Sequence, residues 1–199
     1  LLGVLLPDSG GLQEEEARYA NKKGISRHQP ARPLYTEEDA NQSLRLLNRL
    51  DFGQETPLHK RLKVTLHRAG HILGAAFAEV RYRDGDAGWK TAVFSGDMGR
   101  RGVPILHDPE PLPACDVLVC ESTYGDRLHE KTDPKEQLRR ELDEAFRRGG
   151  FTVIPAFAVG RTQEILYHLF ELFEEGRLPK VPVYVDSPMA NSVVELYCR

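Results

Sequence analysis

The residues of this sequence whose types could do chemistry fall in polar clusters that directly follow apolar runs. His67-Arg-Ala-Gly-His71-Ile-Leu-Gly74 sets an imidazole between two glycines, which let the backbone approach a partner closely. No Glu follows the first histidine, so this is not the His-Glu-x-x-His pattern of a zinc helix, and Gly70 and Gly74 argue for a loop. His71 reads equally well as a metal ligand and as a hydrogen-bonded loop residue. Ser95-Gly96-Asp97 presents a carboxylate beyond a glycine. The carboxylate is a turn residue on the plainer reading and a bridge between two hard cations on the functional one. Glu121 directly follows the apolar run Val117-Leu-Val-Cys120 and could take backbone N–H bonds or orient a catalytic group. Phe157-Ala-Val-Gly160-Arg161-Thr-Gln-Glu164 puts a glycine and an arginine where a strand enters a helix. Helix N-terminal N–H groups and a guanidinium fork suit a phosphate, although the phosphate-loop pattern Gly-x-x-x-x-Gly-Lys-Ser/Thr is absent. An exposed Arg161 beside a turn glycine is the alternative. Asp186-Ser187-Pro188 follows the next apolar run.

Such clusters work together only if strand ends converge on one sheet edge, as in α/β architectures. Leu62–His67, Ala76–Arg83 and Lys90–Ser95 alternate as half-buried strands, with Asp84-Gly85-Asp86 supplying a turn. Asp116–Cys120 reads as a short, fully buried strand. Upstream, Gly11–Lys23 reads as a helix with an acidic first turn, and Thr36-x-x-Asp39 as a capping box opening Glu37–Leu47. Downstream, Asp133–Arg148 and Gly160–Glu175 read as helices, and Phe151–Phe157 and Val181–Val185 as buried strands. That alternation predicts a parallel, doubly wound unit beginning near residue 126. Leu166, Leu169, Phe170 and Phe173 recur at helical spacing and are expected in a core.

The chain has 199 residues, 40% hydrophobic and 29% charged, with 27 basic against 30 acidic residues. That balance excludes a uniformly basic surface, so an anionic partner must be held in a local cleft. No apolar run approaches the roughly 18 residues of a membrane helix. Cys115, Cys120 and Cys198 form no Cys-x-x-Cys pair; two buried strand thiols and one stray, in a reducing, cytoplasmic setting, are expected. The other histidines, His28, His59, His107, His129 and His168, show no ligand spacing, and most are expected at the surface.

In this order the segments resemble the metallo-β-lactamase-fold nucleases of the β-CASP group. Ala69-Gly-His-Ile-Leu-Gly-Ala75 is similar to the family's third metal motif and Ser95-Gly-Asp97 to its fourth. Glu121-Ser-Thr-Tyr-Gly125 resembles the acidic motif that opens the β-CASP insertion. Pro155–Glu164 and Val183–Ala190 resemble early segments of that insertion. The fold implied is α/β: part of a metallo-β-lactamase αβ/βα sandwich over residues 1–125, then the start of a β-CASP parallel α/β insertion over residues 126–199.

The function implied is metal-dependent hydrolysis of single-stranded RNA in RNA processing or decay. In the family two Zn2+ ions activate a bridging water for in-line attack on phosphorus, Mn2+ being equally compatible with His and carboxylate donors. On this resemblance His71 ligates one metal and Asp97 bridges both. Glu121 orients a catalytic histidine, and Arg161 and Ser187 contact phosphate. The family's His-x-His-x-Asp-His loop is absent from these residues and is expected upstream of Leu1. The intact protein is therefore expected to be the nuclease, and these 199 residues alone to bind zinc poorly and cleave nothing. DNA as substrate and a non-catalytic scaffold paralogue are the alternatives. A homo-oligomer is compatible with the sequence.

Overall fold

The computed structural model describes residues 1–83, 85, 88–128 and 132–198. Asp84 and Asp86 of the expected turn, His129 and Arg199 lie outside the described residues. In chain order the elements are α1 (Leu2–Lys23), α2 (Glu37–Leu44), β1 (Thr56–His59), β2 (Leu62–Arg68), β3 (Ala76–Arg83), β4 (Trp89–Phe94) and β5 (Val117–Val119). They continue with α3 (Pro134–Arg148), α4 (Arg161–Glu174) and α5 (Pro188–Tyr197). Two compact units result, one from Leu1–Arg49 with Asp186–Arg199 and one from Leu50–Val185.

In the first unit α1 begins at Leu2, not Gly11, and runs through Gly3, Pro7, Gly10 and Gly11. Tertiary packing overrides the low helix propensity there. Gly10 is buried against Thr36 and Glu37, where a Cβ would come within 2.7 Å of their backbone. The capping box forms as read: Thr36 Oγ1 accepts from Asp39 N at 3.1 Å, and Asp39 Oδ2 accepts from Thr36 N at 2.9 Å. The helix it opens ends at Leu44 instead of Leu47.

The second unit carries a five-stranded sheet in the order β1-β2-β3-β4-β5, antiparallel except for the parallel β4–β5 pair. Strand β1 is not evident from sequence because Pro57 interrupts it; an edge position tolerates the lost donor. Phe77, Val93, Val64 and Ala92 are buried along the central strands, Phe77 and Val93 on one face of the sheet and Val64 and Ala92 on the other. A second core joins Leu142 of α3 to Leu169 and Leu172 of α4 and to Leu178. Asp133 caps α3 and Pro134 occupies its first turn.

Several expectations fail for one physical reason. A strand's backbone is satisfied only by a neighbour, and an apolar face stays dry only under a cover. The runs Phe151–Phe157 and Val181–Val185 form no ladder among the described residues, and Phe151 is 91% exposed. Strand β5, expected to be fully buried, is about half-exposed, and Cys115 and Cys120 beside it are exposed instead of buried, as is the stray Cys198. Phe170 points to solvent although it shares the helical spacing of buried Leu169. His168, in contrast, is buried within α4's packed face.

Candidate active site

Strands β2 and β4 each run antiparallel to β3, so they point the same way, and β5 runs parallel to β4. The chain therefore leaves all three strands at one sheet edge, which is where the clusters around His71, Asp97 and Glu121 stand.

The β2–β3 loop is closed by Ala69 N donating to Ala75 O at 3.0 Å and Ala75 N to Ile72 O at 3.0 Å. It is pinned from outside by Gly99 N donating to Ala69 O at 2.8 Å. Two glycines make this approach possible. Gly70 has φ +67° with Pro109 directly beside it, and a Cβ on Gly99 would lie 1.8 Å from Gly70 O. The loop holds His71 so that its Nε2 is 3.9 Å from Asp97 Oδ2, with both side chains solvent-accessible. His67 is not part of this pair. Its ring lies between Glu110, at 3.2 Å from Nδ1, and Glu79, at 3.0 Å from Nε2, and stacks on Phe77.

Ser95 joins the second and third clusters. It is almost fully buried, and its N donates to Val119 O at 2.9 Å, across the β4–β5 edge. Its hydroxyl donates to Gly96 O at 2.7 Å and accepts from Glu121 N at 3.0 Å. Glu121 then folds its carboxylate back on the backbone: Oε2 accepts from Thr123 N at 3.0 Å and Oε1 from Met98 N at 3.4 Å. The Thr123 backbone and hydroxyl bonds, then the Met98 N–H and the nearby His71 charge, hold its pKa below the ordinary carboxylate value. A carboxylate pinned to the residue after Asp97 is an anionic, pre-oriented group at the same edge.

Arg161, at the start of α4, donates from Nη1 to Glu164 Oε2 at 2.8 Å. The other oxygen of Glu164 accepts from Arg100 Nη2 at 2.7 Å. Gly160 lies against the His71 loop, since a Cβ there would sit 3.3 Å from Ile72 Cγ2. Ser187 belongs to the first unit, where its hydroxyl accepts from Ala190 N at 3.1 Å and caps α5.

Imidazole and carboxylate donors suit zinc or manganese by type. Their number does not suffice: a catalytic zinc takes about three protein ligands, and no cluster of three or more His, Cys, Asp or Glu side chains able to hold a metal occurs among the described residues. The pair His71 and Asp97 by itself therefore does not make up the donor set of a catalytic zinc.

The residues that sequence reasoning passed over are Ser95 as a tie, Gly99 as a contact and the Arg100–Glu164 pair. Ser95 had a local signal, because alternation puts it on the face of buried Val93. The others depend on approaches between segments far apart in the chain.

Comparison with known proteins finds relatives along most of the chain. The Beta-Casp domain family matches residues 162–199. The chain is 40% identical over 171 residues to Ribonuclease TTHA0252 of Thermus thermophilus, covering 84% of this chain and 37% of that protein. It is 33% identical over 162 residues to Transcription termination factor FttA of Lokiarchaeum, covering 79% and 25% respectively. Endoribonuclease YSH1 of Mycosarcoma maydis is 32% identical over 167 residues, covering 82% and 18%. The expected resemblance to β-CASP RNA-processing nucleases is borne out, and the chain spans between 18% and 37% of the length of these relatives. No described helix is long and apolar enough to cross a membrane.

Proposed function

We propose that this chain is part of a metal-dependent ribonuclease that hydrolyses phosphodiester bonds of single-stranded RNA in RNA processing or decay. The observation that carries the reading is the shared sheet edge, where His71 Nε2 stands 3.9 Å from Asp97 Oδ2. Glu121 is tied at the same edge to the backbone of Met98. On this reading His71 and Asp97 are metal donors, zinc being the metal favoured, and the remaining donors come from outside these residues. Glu121 is a positioning carboxylate. Arg161 contacts the substrate backbone, and Ser187 is a second phosphate contact. Residues 1–125 form the metallo-β-lactamase portion and residues 126–199 the beginning of the β-CASP portion. A cytoplasmic protein fits an RNA substrate. The similarity to proteins named as ribonucleases supports RNA over DNA.

The test is hydrolysis of matched single-stranded RNA and DNA oligonucleotides by the full-length protein, with and without Asp97→Ala. RNA cleavage is expected to fall about 10³-fold or more in the variant, the loss of roughly 4 kcal/mol of metal-borne transition-state stabilisation. Equal cleavage by the variant, or a preference for DNA, overturns the proposal.

A further inference from the structure

We infer that Glu164 is a positioning residue that holds Arg100 and Arg161 together as a two-guanidinium clamp for the phosphate backbone of the substrate. The inference rests on the RNA reading above and adds to it two residues, Arg100 and Glu164, and the arrangement of the third.

The geometry is specific. The Glu164 side chain is only 10% exposed, whereas those of Arg100 and Arg161 are 50% and 55% exposed. Each arginine binds a different oxygen of the one carboxylate, at 2.7 Å and 2.8 Å. Behind the carboxylate is protein: His168, buried one turn further along α4, leaves Nε2 without a hydrogen bond 4.0 Å from Glu164 Oε1. The acid is thus enclosed and spends both oxygens on guanidinium groups, while the two cations keep their outer edges in water. One buried negative charge is thus set against two half-exposed positive ones. A guanidinium with one edge fixed and another edge free presents a planar fork to a phosphate oxygen pair.

The patch also stands in the right place. Arg100 is the third residue after Asp97, and Gly99 between them is pinned to Ala69 O of the His71 loop at 2.8 Å. Gly160, next to Arg161, packs on Ile72, next to His71. The clamp therefore flanks the His71–Asp97 pair along the same edge, where a strand running past the site would lay its neighbouring phosphates.

The test is binding of a fluorescein-labelled oligouridylate by the full chain in EDTA, followed by anisotropy across a range of salt. Each phosphate neutralised on a single strand contributes about 0.7 to the slope of log K against log salt. Arg100→Ala and Arg161→Ala are each expected to lower that slope by about 0.7 and to weaken binding about 5-fold. Arg100→Lys keeps the charge and loses the fork, so it should preserve the slope and weaken binding about 2-fold; it also serves if the alanine variant fails to fold. Glu164→Gln decides the positioning role. It removes a negative charge beside the RNA, yet it is expected to weaken binding about 5-fold because the guanidinium groups lose their anchor. Unchanged or tighter binding by Glu164→Gln makes the acid a mere counter-ion and overturns its role. Unaltered slopes in the arginine variants overturn the clamp while leaving the RNA reading intact. Failure of the unmodified chain to bind the oligouridylate overturns both.

Discussion

Glu121 stays ionised because two backbone N–H groups already point at it. Its pKa is held below the ordinary 4.5, chiefly by Thr123 and then by Met98 and the His71 charge. The sign follows from linkage. A depressed carboxylate stabilises the fold wherever the unfolded chain would also be ionised. That stabilisation is present above about pH 4.5 and is lost as pH falls through the lower folded value. Glu121→Gln should therefore lower Tm at neutral pH and flatten its decline on acidification, read by circular dichroism from neutral pH down to about pH 3. An equally steep acid limb in the variant would remove Glu121 from the balance. Ser95 makes the companion case. Ser95→Ala deletes the buried hydroxyl that serves Glu121 N and Gly96 O, leaving both without that partner. A loss of about 1–3 kcal/mol by denaturant unfolding is expected, against near zero for an exposed serine.

At the scale of elements, the His71–Asp97 distance is set by how closely two loops approach, and that approach rests on Gly99. A Cβ there would lie 1.8 Å from Gly70 O and 2.7 Å from His71 N, both backbone atoms with no rotamer to yield. Gly99→Ala should cost about 3 kcal/mol or more and displace the His71 loop, seen as a shift of the His71 ring resonances larger than that of His67. Normal stability would mean the loops are not in contact. The same example shows what the sequence made legible. Alternating apolar runs located β2, β3 and β4, and the polar residues that ended them located the cluster, because both signals are local. The capping box at Thr36 and Asp39 was legible for the same reason. The contact of Gly99 with Gly70, the continuation of α1 through Gly10 and the meeting of Arg100 with Glu164 depend on segments distant in sequence. The runs Phe151–Phe157 and Val181–Val185 have the composition of strands, but composition does not supply the neighbour that turns a run into a ladder.

For the whole molecule the deciding quantity is the number of donors. Two side chains meet at the sheet edge, at 3.9 Å, and among the described residues no third His, Cys, Asp or Glu joins them as a metal cluster. Each missing ligand leaves a coordination position to water, which costs affinity because zinc sites draw their binding energy from a full, deprotonated donor set. Both side chains are also solvent-accessible, so a cation between them would gain little from a low local dielectric. The 199-residue chain, dialysed against zinc and then against buffer, should retain well under one ion per molecule by elemental analysis and should leave single-stranded RNA uncut. Asp97→Ala should then change neither result. If the chain instead keeps close to two zinc ions and cleaves RNA in a manner that Asp97→Ala abolishes, the described residues hold a complete site. The assignment of the remaining donors to another part of the protein would then be wrong.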